Sequence, residues 1–183
     1  MKRRFLQARF SLLAAAVCFF TPSMARAQAT PVPDKKPDLS PMAMFMGTWT
    51  CKRLKSPNNR GVGVSFTSTT TMTMDDHWMV TDQTVPPYDQ YRTRNNVSKS
   101  YTTYDPDTKQ WVSIMVDNFG TYGMSTSPGW TGKTLVTKDT VNSGGAPLGV
   151  DTLTKISDTQ YDDVYTVQGP KGAETYENTC TKS

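Results

Sequence analysis

Two short stretches near the ends of the mature chain constrain the fold more than any other feature. Residues 47–52 are rich in β-branched and aromatic side chains and show no helical period, which indicates a strand. Because strand side chains alternate, Trp49 and Cys51 share one face, as do Asn178 and Cys180 near the C-terminus. Cysteines on the inner faces of a first and a last strand are neighbours only if the sheet closes. The sequence therefore predicts a β-barrel with a Cys51–Cys180 disulfide across the closing seam.

The N-terminus has the three parts of a bacterial Sec-type signal peptide. Basic residues within positions 2–9 precede an apolar run over 10–20, and small residues follow at 25–29. The apolar run is shorter than the roughly 18 residues that a membrane-spanning helix needs. We therefore expect a signal peptide over residues 1–27, cleaved within a few residues of that boundary. The mature protein is then periplasmic or secreted and has no membrane span.

Loss of this leader changes the charge and the cysteine count. Five of the 20 Lys and Arg residues lie in it, so 15 basic residues face 16 acidic ones in the mature chain. This balance removes the case for nucleic-acid binding that the net charge of +4 would suggest. Of three cysteines, Cys18 leaves with the leader. The remaining even pair, in an oxidising compartment, favours a disulfide over two free thiols.

The mature chain reads as a linker followed by one all-β domain. Residues 28–39 are Pro-rich and polar, which is typical of a flexible linker. Ser40 and Pro41 indicate a helix start with Ser40 as the N-cap, and we expect this short helix to plug one end of a barrel. Residues 40–183 are predicted to form an antiparallel up-and-down closed β-barrel of about ten strands. The predicted strands are 47–55, 62–74, 78–85, 97–104, 109–116, 121–127, 132–139, 150–156, 159–168 and 173–182.

An ordered series of motifs resembles a known barrel family. A short helix and Gly47-Thr48-Trp49 resemble the lipocalin and calycin superfamily. The series continues with Tyr101-Thr102-Thr103-Tyr104-Asp105, Trp111, Val116-Asp117-Asn118-Phe119-Gly120, Gly129 and Gly132. The whole is similar to the lipocalin-like bacterial secreted family described as domain of unknown function 1579. The resemblance covers roughly residues 45–182 and implies a barrel around a cavity, with no known activity. The related nitrobindin-like haem binders use a histidine late in the barrel, and this chain has none there.

Few side chains offer metal or cofactor chemistry. His77 is the only histidine, and the pattern places it in a turn at a barrel end beside Asp75-Asp76. Histidine-dependent triads, zinc sites and haem ligation are therefore not expected. Met72 and Met74 near His77 offer soft ligands for Cu(I), but both continue an apolar strand face that core packing explains. We expect no metal and no cofactor.

Three charged residues share strand faces with aromatic side chains. If its face points inward, Asp163 lies between tyrosines as a perturbed acid, the combination that some calycin-like enzymes use; an outward face is the equal alternative. Arg53 or Lys99 would be a counter-ion for an acidic ligand if either faces a cavity. Charged side chains of this kind are more often exposed to solvent on the protein surface.

The expected site is the barrel cavity, which is wide enough in a ten-stranded barrel to hold a ligand. We expect binding of a small, mostly apolar or amphipathic molecule there, with no catalytic residue. A calycin-type enzyme acting on a small hydrophobic substrate and a solid-core interaction protein are the alternatives. The oligomeric state is not predicted. The residues expected to line the cavity are Trp49, Phe66, Tyr101, Trp111, Tyr122, Met124 and Tyr165.

Overall fold

The computed structural model describes residues 36–90, 92–170 and 172–183. The expected signal peptide over 1–27 and most of the expected linker over 28–39 lie outside these residues. Short 3₁₀-helices span Ser40–Phe45, Pro57–Asn59 and Ser143–Gly145. The strands are β1 (Gly47–Lys55), β2 (Ser65–Thr73), β3 (Trp78–Val85), β4 (Asn96–Asp105), β5 (Gln110–Asp117), β6 (Tyr122–Ser127), β7 (Trp130–Thr131), β8 (Thr134–Asn142), β9 (Gly149–Ser157), β10 (Gln160–Gly169) and β11 (Gly172–Lys182).

The strands form one closed antiparallel sheet. Neighbours in the sheet follow the order β6-β5-β4-β3-β2-β1-β11-β10-β9-β8, and β6 also pairs with β8. The two-residue β7 pairs only with β8 and stands outside this ring. The ten long strands therefore close into a barrel, and the predicted fold class is confirmed. Among the described residues, no helix is long and apolar enough to cross a membrane.

The predicted seam is present. β1 pairs with β11 in a register that places Cys51 opposite Cys180, with their Cα atoms 4.0 Å apart. A disulfide joins the two residues, and both are almost completely buried. This prediction is confirmed. The bridge connects positions 129 residues apart in the sequence, so it ties together the two ends of the domain.

The segment before β1 forms about two turns of 3₁₀-helix rather than an α-helix. Ser40 is its first residue and Leu39 its N-cap, so the prediction that Ser40 is the N-cap is wrong. The Asp38 carboxylate accepts the Ser40 backbone N–H at 3.0 Å, because an Asx turn begins two residues before the expected cap. Trp49 Nε1 donates to the Phe45 carbonyl at 3.0 Å, which fixes this helix to β1. That the helix plugs the barrel stays a prediction.

The second strand is shorter than predicted, and its inner face is the predicted even-numbered face with a more polar composition. Its buried positions are Phe66, Ser68 and Thr70. Met72 and Met74 do not continue an apolar core face, since they are 38% and 60% exposed. The two methionines lie at the end of the strand, next to a turn in which Met74 and the next two residues take left-handed backbone angles. The strand therefore contributes hydroxyl groups to the interior where the sequence suggested thioethers.

Two apolar clusters occupy part of the interior. One surrounds the disulfide, and the other surrounds Met42 and Trp111. The members of the first are Trp49, Cys51, Phe66, Val85, Tyr161 and Cys180. The members of the second are Leu39, Met42, Met79, Trp111 and Leu135. Between them the interior is lined by small polar side chains, and these leave open space.

Candidate ligand-binding site

The barrel encloses a cavity of about 250 Å³. One part of its wall is aromatic and aliphatic, including Phe45, Trp49, Trp111 and Tyr161. The other part carries hydroxyl groups from strands β2 to β6 and β8. These are Ser68, Thr70, Thr81, Ser100, Thr102, Ser113, Ser125, Ser127 and Thr137. The wall is thus amphipathic, with an apolar end and a hydrogen-bonding side.

The hydroxyl side follows from the strand register. Thr70 lies opposite Thr81, and Thr102 lies opposite Ser113, so like side chains meet across strands. The hydroxyls of the first pair are 2.8 Å apart, and those of the second pair also share a hydrogen bond. A hydroxyl has one donor and two acceptor sites, so pairing leaves acceptor capacity that a bound molecule or water can use.

The apolar end is built from aromatic rings in contact. The ring centroids of Trp49 and Tyr161 are 4.9 Å apart, and Phe45 packs edge-on against Tyr161 at 5.6 Å. Burial, followed by the nearby carboxyls of Asp163 and Asp151, raises the pKa of Tyr161 well above its ordinary value. The phenol is therefore neutral and presents a hydroxyl at the edge of an otherwise apolar surface.

An acidic pair faces the hydroxyl side. Asp151 on β9 lines the cavity, and the Asp163 carboxyl on the neighbouring strand β10 lies beside it. Burial, followed by the Asp163 carboxyl, raises the pKa of Asp151 well above its ordinary value. Asn178 Nδ2 donates to Asp163 Oδ2 at 2.9 Å, which fixes Asp163 as an acceptor. Asp151 therefore keeps its proton to a higher pH than an exposed carboxyl group does.

A third carboxylate, that of Asp139, accepts three hydrogen bonds from other groups of the protein. Asp139 Oδ2 accepts the Tyr165 hydroxyl at 2.8 Å, the Gly149 N–H at 3.0 Å and the Asn142 Nδ2 at 3.2 Å. The Tyr165 ring lies so close to Gly149 that a Cβ there would meet ring atoms at 2.4 Å. Tyr165 is thus held against the wall by glycine on one side and by the carboxylate at its tip.

A second cavity of about 270 Å³ adjoins the first, since both are lined by Thr81 and Ser100. Its wall includes Tyr88, Asp117 and three arginines, Arg53, Arg92 and Arg94. The interior therefore has two adjoining chambers, one acidic and aromatic and the other basic.

Some of the predicted lining residues lie in the interior. Trp49 and Trp111 line the first cavity. Phe66 is buried in the cluster around the disulfide, and Tyr165 shares the inner face of β10 with Tyr161. Phe66 and Tyr165 contribute to the packing of the wall and not to the lining of either cavity.

The other predicted residues require a correction. Ser100 and Thr102 line the cavity, so Tyr101 between them projects from the outer face. Tyr122 and Met124 are 54% and 37% exposed, because the neighbouring inward positions of β6 belong to glycine and serine. The prediction took aromatic side chains as the inner face of these strands. The inner face is in fact the serine and threonine face. The alternation of serine with larger residues was the signal in the sequence that could have indicated this.

Of the three charged residues considered from the sequence, one lies on the outer face and two lie on the inner face. Lys99 lies on the outer face and forms an ion pair with Asp82, so it is no counter-ion for a cavity ligand. Arg53 lines the second cavity. Asp163 faces inward beside Asp151, which decides between the two orientations that the sequence left open.

Comparison with known proteins adds no identification. No protein-family model matches the chain, and no curated protein matches it. The lipocalin-like resemblance therefore stays a prediction. Within the described ranges, no group of three or more His, Cys, Asp or Glu side chains is arranged to hold a metal ion.

Proposed function

We propose that this barrel binds a small amphipathic molecule in its interior and releases it unchanged. The observation that carries the proposal is the cavity wall, with an aromatic end and nine hydroxyl-bearing residues. Interiors that serve stability alone are filled with close-packed apolar side chains. Hydroxyl groups withdrawn from water destabilise a fold unless they find hydrogen-bond partners. Thr70 with Thr81 and Thr102 with Ser113 partner each other, and the polar groups of a ligand would use the donor and acceptor sites that remain.

The wall also suggests the shape of the ligand. A volume of about 250 Å³ is small among ligand cavities, so the part of the molecule held there is small. Its apolar part would contact Trp49 and Trp111, whose rings offer broad flat surfaces. Its hydrogen-bonding groups would meet the hydroxyls of β2 to β6. The ligand is therefore more polar than the sequence led us to expect.

Two further statements belong to the same proposal. We place the mature protein in the periplasm or outside the cell, where an oxidising environment would form the Cys51–Cys180 bridge. We also assign the chain to the lipocalin-like barrels of domain of unknown function 1579. The closed antiparallel barrel supports this assignment without deciding it. N-terminal sequencing of protein from its native host tests the export step: cleavage near residue 28 is expected, and an intact Met1 would contradict it.

Binding is tested with N-phenyl-1-naphthylamine, a neutral probe whose fluorescence rises in apolar surroundings. We expect saturable binding to the wild type and a loss of at least tenfold in Ser125→Ile, which fills the cavity from an inward position. Thr126→Ile is the matched control, since it adds similar bulk one residue along β6, on the other face. Absence of saturable binding to the wild type would refute the proposal, as would an equal loss in the two variants.

A second function is favoured by one specific observation. Asp151 lines the cavity beside Asp163, and burial together with the Asp163 carboxyl raises the pKa of Asp151. Such a pair is suited to general acid–base catalysis. Native mass spectrometry of wild type and Asp151→Asn, purified from the same host, separates the two functions. The same bound mass in both indicates binding alone, whereas a different mass in the variant indicates a substrate that only the wild type converts.

A further inference from the structure

The second cavity has a charge that the first does not. Three guanidinium groups line it, from Arg53 on β1 and from Arg92 and Arg94 in the loop between β3 and β4. Asp117 is the single carboxylate in the lining. Its Oδ1 atom accepts the backbone N–H groups of residues 119 and 121, each at 2.9 Å. Asp117 therefore serves the β5–β6 turn, and the cavity keeps an excess of positive charge.

Arg53 is held in place without an ionic partner. Its guanidinium carbon lies 5.6 Å from the ring centroid of Tyr88 and 5.8 Å from that of Tyr176. Its Nε atom is shielded from solvent and has no hydrogen-bond partner among the described residues. A buried donor left unpaired costs free energy, more so when it carries charge. The side chain is thus oriented by two rings, and a hydrogen-bonding position stays open.

Arg92 and Arg94 are oriented in a similar way. Their guanidinium carbons lie 4.9 and 4.4 Å from the ring centroid of Phe119, and Arg94 also donates to the Asn118 carbonyl at 3.2 Å. Within the part of the chain that the structure describes, no carboxylate forms an ion pair with Arg53, Arg92 or Arg94. By contrast, Lys55 and Lys99 on the outer surface each pair with an acidic neighbour.

We infer that this chamber, defined by Arg53, Arg92 and Arg94, receives the oxyanion of the barrel's ligand, a carboxylate or sulfonate carried by an apolar body. The inference rests on the proposed function and specifies its ligand. Guanidinium groups bind planar or tetrahedral oxyanions through paired, charge-assisted hydrogen bonds. The shared lining at Thr81 and Ser100 lets one molecule place its anionic group here and its apolar body against Trp49 and Trp111.

The alternative arrangement, with the anion in the first chamber, is disfavoured by charge. Asp151 lines that chamber with Asp163 beside it, and an anionic ligand group next to this acidic pair would be repelled. A neutral hydrogen-bond donor on the ligand fits there instead. The interior therefore distinguishes the two ends of an elongated molecule.

The test uses two probes that differ by one group: 8-anilinonaphthalene-1-sulfonate and the neutral N-phenyl-1-naphthylamine. We expect Arg53→Met to weaken binding of the sulfonate by about tenfold or more and to change binding of the neutral probe by less than about twofold. Methionine keeps an unbranched apolar stem between the two tyrosine rings. Lys52→Met is the matched control, because it removes the same charge from the exposed, opposite face of β1 and is expected to change neither affinity.

A second variant covers a loss of folding in Arg53→Met. The double substitution Arg92→Gln with Arg94→Gln lies in a loop outside the barrel strands and is expected to weaken the sulfonate selectively as well. Equal losses for the two probes, or an unchanged sulfonate affinity in both variants, would overturn the inference. If the wild type binds the neutral probe but shows no preference for the sulfonate, the proposed binding function is supported and the anion site is refuted. If the neutral probe does not bind at all, the proposed binding function is refuted.

Discussion

The disulfide across the barrel seam gives the sharpest test of the architecture. We consider the double substitution Cys51→Ala with Cys180→Ala. The bridge closes a loop of 129 residues, and the chain-entropy relation for a loop of this length gives about 5 kcal/mol at 25 °C. Measured values for native disulfides are usually nearer 2–4 kcal/mol, because unfolded chains retain structure. We therefore expect the free energy of unfolding to fall by about 3 kcal/mol. For a domain of this size that corresponds to a melting temperature lower by roughly 6–12 °C.

The measurement is urea unfolding followed by tryptophan fluorescence, since Trp49 lies beside the bridge on the same strand face. Reduced wild type is the control, because it keeps both sulfur atoms and loses only the cross-link. The double variant also removes two buried sulfurs beside Tyr161, so it should be slightly less stable than the reduced wild type. β1 and β11 stay paired along their backbone in both, and the barrel should remain closed. A double variant within about 0.5 kcal/mol of oxidised wild type would refute this account of the seam.

Three further predictions follow from the interior. Burial raises the pKa of Asp151 above 3.8, so the folded protein retains a proton that the unfolded chain releases, and stability declines as the pH rises from about 4 through the raised pKa. Asp151→Asn should therefore be more stable than wild type at pH 8 and no more stable at pH 3.5, by urea unfolding; a uniform loss would contradict this. Gly149→Ala should lower stability by about 1–3 kcal/mol through overlap with Tyr165, and adding Tyr165→Leu should restore part of it. Trp49→Phe should cost about 1 kcal/mol by removing the hydrogen bond to the Phe45 carbonyl, measured in the same assay; no change would show that the bond is not needed.

Strand positions were predictable because their signals are local. β1 and β3 have the predicted bounds, and most other strands differ from prediction by one or two residues at each end. Proline, glycine and aspartate mark the turns, and side-chain alternation marks the strands between them. Closure of the sheet was predictable from a single long-range constraint, the two cysteines on the first and last strands. The strand positions need only a few neighbouring residues, and closure needs one pair of residues far apart in the sequence.

The side of the sheet that faces inward was harder to predict. Alternation separates two faces of a strand, but it does not say which one is inside when the interior is polar. On β4 the aromatic Tyr101 points out and Ser100 points in, and on β6 Tyr122 points out and Ser125 points in. Tyrosine tolerates an outer position because its ring covers neighbouring side chains while its hydroxyl reaches water. The assumption that the aromatic face of a strand points inward fits apolar cores. It therefore failed on these strands, where the interior holds a cavity.

The acidic pair and the arginine chamber could not be read from the sequence for another reason. Asp151 and Asp163 meet only because β9 and β10 pair in one particular register, and Arg53 reaches the same region only because β1 closes against β11. A shift of one residue in either ladder would turn these side chains to the opposite face. The periodicity of side chains within one strand does not determine the register in which that strand pairs with its neighbours. Sequence reasoning could propose Arg53 and Asp163 one at a time but not the space between them.

The proposed binding function gives the unpaired polar atoms of this interior a role and leads to one further prediction. Among the described residues, four shielded side-chain atoms have no hydrogen-bond partner: Arg53 Nε and the Oδ1 atoms of Asp151, Asp163 and Asn178. The register places Arg53 opposite Asn178 and Asn178 opposite Asp163, so three of the four lie in one row across β1, β11 and β10. Apolar side chains of similar volume in that row would make the empty barrel at least as stable. A row that presents a cationic donor, an amide and a carboxyl oxygen in sequence lowers the stability of the empty protein. A molecule that satisfies these atoms returns that stability as binding free energy, so the melting temperature should rise with ligand concentration as binding linkage requires.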